Sequence, residues 1–199
     1  SYVEGQTVLI EVNAVDDVGI KQTVVSVNGL IDGQRVFVDT EYPYEFALKI
    51  PYGQAGKPFE ISSQALELTY GNKQGRLVSA NRSVTVSVQK DNQAPSITLR
   101  QPKVDTTSYI VESRNLIFDA DVTDNVEVSS VRFDLVIGGE TVSSALSITA
   151  PYYGAIAVKT IADYLNQEEG LPETLAATLK VTAIDGAGNQ GQVEAPIVI

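Results

Sequence analysis

Oxygen ligands are the chemistry this chain is best supplied with. Cys, His, Met and Trp are all absent from its 199 residues. Thiolate chemistry, disulfides, His-ligated zinc or haem iron, and His general bases are therefore excluded. Asp and Asn instead fall in tight groups: Asp16-Asp17, Asp91-Asn92, Asp121 with Asp124-Asn125, and Asp185 with Asn189. Calcium takes roughly six to eight oxygens in flexible geometry, from carboxylates, amides, carbonyls and water. Asp91, Asn92, Asp121, Asp124, Asp185 and Asn189 form a candidate set for such an ion. Asp119 and Asp121 share the outward face of one strand, so only one of them is expected to reach the loop. The same residues have a plainer reading. Asp and Asn bond nearby backbone N–H groups and so favour turns. The run Asp185-Gly186-Ala187-Gly188-Asn189 makes a hairpin on that ground alone.

Other chemistries have less to stand on. Tyr42, Tyr44, Tyr52, Tyr152, Tyr153 and Tyr164 offer flat rings for sugar faces. Tyr44 and Tyr152 precede strands in matching positions, however, which also fits packing. A glycosidase needs two carboxylates about 5 to 9 Å apart, yet the acids recur at the same loop places along the chain, as scaffold positions do. There is no Ser-x-x-Lys, phosphate-loop or metalloprotease pattern. The chain is read as non-enzymatic, with no cofactor other than calcium. Asn81-Arg82-Ser83 fits a glycosylation sequon.

The elements that must position these residues come in two copies. Val3–Val12 aligns with 111–120 at an offset of 108, which also carries Asp16-Asp17 onto Asp124-Asn125, Pro43 onto Pro151 and Tyr44 onto Tyr152. Later, Ala65 and Glu67 match Ala183 and Asp185 at an offset of 118. The second copy thus carries about ten extra residues in the stretch 159–174, which belong in a surface loop. Within Ile161 to Glu169 one or two turns of helix are expected, which Pro172 would stop.

Within each copy the apolar period is two. Val8, Ile10 and Val12 alternate with polar positions, as do Leu116, Phe118 and Ala120, and Val131, Phe133 and Leu135. Val84, Val86 and Val88 make a closing strand, as do Val193, Ala195 and Ile197. Such alternation marks antiparallel strands buried on one face. Asn28-Gly29 and Gly138-Gly139 sit where tight hairpins need positive φ. The expected fold is all-β: two tandem antiparallel β-sandwiches, over residues 1–91 and 92–199, which the resemblance given below implies are immunoglobulin-like. Pro95 blocks strand pairing between them. Ser96-Ile97-Thr98-Leu99 opens the second copy, and its counterpart in the first would precede Ser1. The chain is accordingly read as a piece of a longer protein, its first sandwich short of one strand.

Net charge is −11 and the sequence pI near 4.4, which argues against nucleic acid. The charge concentrates in the second copy, with six basic against fourteen acidic residues from Asn92 on. No run of 18 apolar residues is present, so no membrane insertion by a helix is expected.

The residues support a resemblance. Asp16-Asp17-Val18-Gly19-Ile20, Tyr42-Pro43-Tyr44-Glu45-Phe46 with Ala150-Pro151-Tyr152-Tyr153, and Ala183-Ile184-Asp185-Gly186-Ala187-Gly188-Asn189 resemble the bacterial immunoglobulin-like repeats of large cell-surface, adhesin-type proteins. Asp91-Asn92-Gln93-Ala94-Pro95 is similar to the joints between such repeats and, more distantly, to cadherin joints. Glu67-Leu68-Thr69-Tyr70-Gly71-Asn72 departs from the pattern by one residue and by Glu for Asp. The resemblance implies a structural spacer of an exported surface protein, stiffened by calcium at the joint. Its partners would be neighbouring repeats and a host or matrix glycan or protein. The alternative is an accessory module of a secreted enzyme or adhesin that itself binds a carbohydrate or protein. Some bacterial surface sandwiches carry Lys–Asn cross-links, but no Lys here falls on an inward-facing position.

Overall fold

The computed structural model describes residues 1–17, 19–67 and 81–199. The chain divides into two compact units, Ser1–Asp91 and Asn92–Ile199. Each is an immunoglobulin-like β-sandwich.

The first unit contains Tyr2–Val3 (β1), Thr7–Val12 (β2), Ile20–Asn28 (β3), Arg35–Asp39 (β4), Tyr44–Lys49 (β5), Phe59–Glu67 (β6), Asn81–Val86 (β7) and Val88–Gln89 (β8). One sheet has the order β4-β3-β6-β7 and the other pairs β2 with β5, all antiparallel. β1 adds a short parallel pairing to β8. The alternating apolar residues meet between the sheets, where Val25, Val27, Ile50 and Phe59 are fully or almost fully buried. Each such side chain contributes about 1.5 to 3 kcal/mol through the area it removes from water.

The second unit contains Ser96–Gln101 (β9), Ser108–Tyr109 (β10), Asn115–Thr123 (β11), Val128–Ile137 (β12), Glu140–Ser147 (β13), Tyr152–Ala157 (β14), a helix Ile161–Leu165 (α1), Ala176–Asp185 (β15) and Gln190–Val198 (β16). Its sheets run β10-β16-β15-β12-β13 and β14-β11-β9. Here β10 is the short parallel addition, paired to β16. Phe118 and Phe133 stack across the core with centroids 4.0 Å apart.

The period-two reading of these strands holds in both units, and Gly138-Gly139 makes the two-residue hairpin that joins β12 to β13. Three local expectations change. Asn28-Gly29 does not form a tight hairpin. The chain runs on through residues 29–34, with Leu30 buried and the Ile31 N–H held by the Gln54 side chain at 2.9 Å. Buried anchors of this kind outweigh a local turn preference.

Helix α1 has the one to two turns expected, but it ends at Asn166, not at Pro172. Asn166 adopts the left-handed conformation (φ 51°), which Asn tolerates better than most residues and which terminates a helix. At the other end Thr160 and Asp163 form a reciprocal capping box.

Val84 does not close the core. It is 57% exposed, although Val86 and Val88 beside it are buried.

Candidate functional site

The six candidate ligands come from three places in the second unit and its entry. Asp124 lies in the loop that follows β11, Asp185 ends β15, and Asp91 immediately precedes Asn92, the unit's first residue. One carboxylate oxygen from each of Asp91, Asp124 and Asp185 lies within 4.8 Å of the others. Among the described residues no other group of three acidic side chains comes this close. Asp91 and Asp185 are almost completely buried, at 1% and 2% exposure.

Local turn chemistry holds two of the three acids in place. Asp185 Oδ1 accepts the Asn189 backbone N–H at 2.8 Å, and Asp185 Oδ2 accepts the Asn189 side-chain amide at 2.7 Å. The same amide nitrogen donates to the carbonyl of Gln93 at 3.3 Å. Asp124 Oδ2 accepts the N–H groups of Val126 and Glu127, at 2.9 and 3.2 Å. The turn reading of these residues is therefore correct as far as it goes. It does not use everything: Asp124 Oδ1 is buried and accepts no hydrogen bond among the described residues. An ionised carboxylate has about four lone-pair sites, so a turn bond on one oxygen leaves capacity for a cation.

One expected ligand stands elsewhere. Asp121 is on the exposed face of β11 and forms an ion pair with Arg100 Nη2. Asp119 lies 4.0 Å from the same guanidinium, so neither outward acid of that strand reaches the group. Arg100 on the neighbouring strand β9 draws both of them sideways. Asn92 is exposed.

The counterpart acids in the first unit behave differently. Asp16 Oδ1 accepts the Gly19 N–H at 3.1 Å, the same turn bond that Asp124 makes to Glu127. Asp16 and Glu67 line a cleft of about 370 Å³ together with Arg82. No third acid joins them among the described residues. The part of the departing loop beyond Glu67 lies outside the described residues.

The tyrosines do not assemble into a platform. Tyr44 and Tyr152 are buried core residues, and Tyr164 accepts the Lys159 N–H at 2.9 Å. Tyr52 lies against Gly5. Tyr42 stands edge-on to Tyr44, with centroids 5.9 Å apart, and Tyr153 is exposed on β14. Every lysine among the described residues is exposed or half-buried, so none has the buried setting an isopeptide cross-link needs.

No family model and no curated protein matches the sequence. Solved structures do match. The fibronectin(III)-like modules of Clostridium thermocellum CbhA share 18% identity, over 100% of this chain and 87% of that one, with a TM-score of 0.39. The N-terminal four Ig domains of Dscam1 isoform 7.44 share 11% identity over 99% of this chain and 42% of that one, with a TM-score of 0.36. Chicken CNTN1 FN1-FN3 domains share 10% identity over 96% of this chain and 60% of that one, with a TM-score of 0.33. No helix among the described residues is long and apolar enough to cross a membrane.

Proposed function

We propose that this chain is a pair of non-catalytic spacer modules from an exported surface protein, and that calcium binds through Asp91, Asp124 and Asp185. The observation that carries the metal reading is the close approach of three carboxylates, two of them buried. Two unit charges at that separation repel by about 3 kcal/mol at the effective dielectric of a protein surface. A bound divalent cation replaces this repulsion with attraction. Oxygen-only donors with no soft ligand select a hard cation, and flexible loop geometry suits calcium better than magnesium.

The ion would tie Asp91, at the chain's entry, to the two loops that carry Asp124 and Asp185. That stiffens the entry of the second unit, which is what a spacer needs. The remaining oxygens of a calcium shell would come from backbone carbonyls and water. The spacer reading rests on two units built on one scaffold, with their acids in matched turn positions rather than in a shared catalytic pocket. Its acidic surface, under this reading, keeps neighbouring copies apart.

Calcium titration followed by thermal unfolding tests the metal. Millimolar calcium is expected to raise the melting temperature of the second unit, and Asp124→Asn is expected to abolish the rise without unfolding the chain. An unchanged melting temperature with calcium and with chelator would end the calcium reading.

A further inference from the structure

The edge at which the two sheets of the first unit part carries side chains that the scaffold does not require. A cleft of about 450 Å³ lies there, between β4 of one sheet and β5 of the other. Its apolar lining includes Phe37 and Pro51, both half-buried. Phe37 is tied to the core through Phe46, with ring centroids 6.1 Å apart. Asp32, Arg35 and Lys49 stand exposed around it. Tyr52 completes the lining, packed against Gly5, and Lys49 Nζ lies 5.9 Å from the centre of its ring.

The second unit shows what this place needs for folding. The strand ladders match residue by residue. Phe37 faces Val25 as Ala145 faces Phe133, and Lys49 faces Thr7 as Ala157 faces Asn115. The turn after the strand is pinned alike in both units: Glu4 Oε2 accepts the Gly53 N–H at 2.7 Å, and Glu112 Oε1 accepts the Ile161 N–H. All of these pairs keep the 108-residue offset. Through it Arg35, Phe37, Lys49 and Tyr52 fall on Ser143, Ala145, Ala157 and Thr160. The same backbone is thus built with small, uncharged side chains. The two rings and two cations of the first unit are additions to it, and they line one cleft in a chain whose net charge is −11.

We propose that this cleft is a saccharide site whose ligand is an acidic sugar, a pyranose ring that carries a carboxylate. Arg35 Nη2 is paired with Asp32 Oδ2, which orients the guanidinium. A guanidinium has five N–H donors, so others are left for a ligand's carboxylate, and the Lys49 ammonium adds a second positive charge. The C–H face of the sugar ring covers the aromatic and apolar lining. Asp32 discriminates among anions. It repels a ligand that offers negative charge alone, and it accepts hydroxyl groups from one that offers both. An acidic peptide lacks the ring of hydroxyls, and a neutral sugar lacks the charge. The volume lies in the range of small-ligand clefts. No residue of the three-acid group takes part, so the site works without bound calcium.

The test is a titration of the isotope-labelled full chain, followed by backbone amide shifts, with chelator present throughout. Three probes are compared at equal millimolar concentration: a linear tetramer of galacturonic acid, a neutral tetramer of glucose, and a tetra-aspartate peptide. The galacturonate tetramer is expected to shift amides within residues 32–37 and 49–53 and to leave their counterparts in the second unit unmoved. The neutral tetramer and the peptide are expected to bind roughly tenfold or more weakly, the scale of one lost charge-assisted hydrogen bond. The double variant Arg35→Ser with Lys49→Ala takes the residues that the second unit carries at these places. It is expected to weaken galacturonate binding roughly tenfold or more. Its melting temperature should match that of the parent chain, because both positions are exposed. Absence of shifts at the cleft overturns the proposal, as does an equal response there to the neutral tetramer or to the peptide. A folded double variant that binds galacturonate as tightly as the parent also overturns it. The comparison of probes uses the unsubstituted chain and decides by itself if the double variant melts early.

Discussion

Gly154 lies directly across the ladder from Phe118, and the phenyl ring occupies the space a side chain would need: a Cβ built on Gly154 would stand 2.7 Å from Phe118 Cζ. The first unit solves the same pair the other way round. Its equivalents are Ile10 and Phe46, so the aromatic ring comes from the opposite strand. Gly154→Phe is expected to cost about 1 to 3 kcal/mol through overpacking. Phe118→Ile costs a similar amount, through the cavity and the lost stacking on Phe133. The double variant Phe118→Ile with Gly154→Phe recreates the first unit's pairing and should be less destabilised than the sum of its parts. Denaturant unfolding of all the variants decides; strictly additive costs would show that the two positions do not exchange one ring.

Gln54 is fully buried and satisfies three backbone groups at once. Its amide donates to the carbonyls of Gly29 and Lys57, at 3.0 and 2.8 Å, and its oxygen accepts the Ile31 N–H at 2.9 Å. Gln54→Leu keeps the volume and leaves those partners without it. We expect a loss of about 2 to 5 kcal/mol, concentrated in the first unit. A chemical denaturation midpoint unchanged by the substitution would contradict this role.

Asp163 carries a pH dependence. The Thr160 hydroxyl, then the Thr160 N–H and the charge of Lys159, hold its carboxyl below the ordinary carboxylate range. A folded-state pKa below the unfolded one contributes stability above the unfolded value and loses it as pH falls through the folded value. The capping box is therefore expected to hold at neutral pH and to open at strongly acid pH. Carbon chemical shifts of Asp163 and exchange of its amide report the transition, and Asp163→Asn should remove it.

Asn189→Ala retains the backbone bond to Asp185 Oδ1 and deletes the side-chain bonds to Asp185 Oδ2 and the Gln93 carbonyl. A hydrogen bond to a charged group is worth about 1.5 to 3 kcal/mol, and the loss should fall in that range without calcium. With calcium bound the loss should shrink, because the cation satisfies the same carboxylate. Thermal melts of the variant with calcium and with chelator measure the difference.

The sandwiches were legible in the sequence because an alternating pattern fixes which face of a strand is buried. Asp124 and Asp185 were legible because turns require such residues and the repeat marks their loops. Asp121 was misread because its fate depends on β9. The register shift of the β9–β11 ladder between Asp119 and Ala120, together with Arg100, sends both outward acids to the surface. Val84 looked like a core residue because its period was right. Period says which way a side chain points, not whether anything covers it. The Gln54 anchor gave no signal at all, since two of its three partners are backbone groups 23 and 25 residues away.

The long connection between β14 and β15 has a use beyond the fold. The first unit joins its equivalent strands through a shorter stretch, so the scaffold already exists with two lengths at this point. Within the longer form Glu168 and Glu169 are exposed. An epitope tag or a fluorophore-bearing cysteine can therefore be introduced at this loop with little thermodynamic penalty. In a chain with no native thiol, a single Glu169→Cys gives a uniquely addressable label for tracking the second unit.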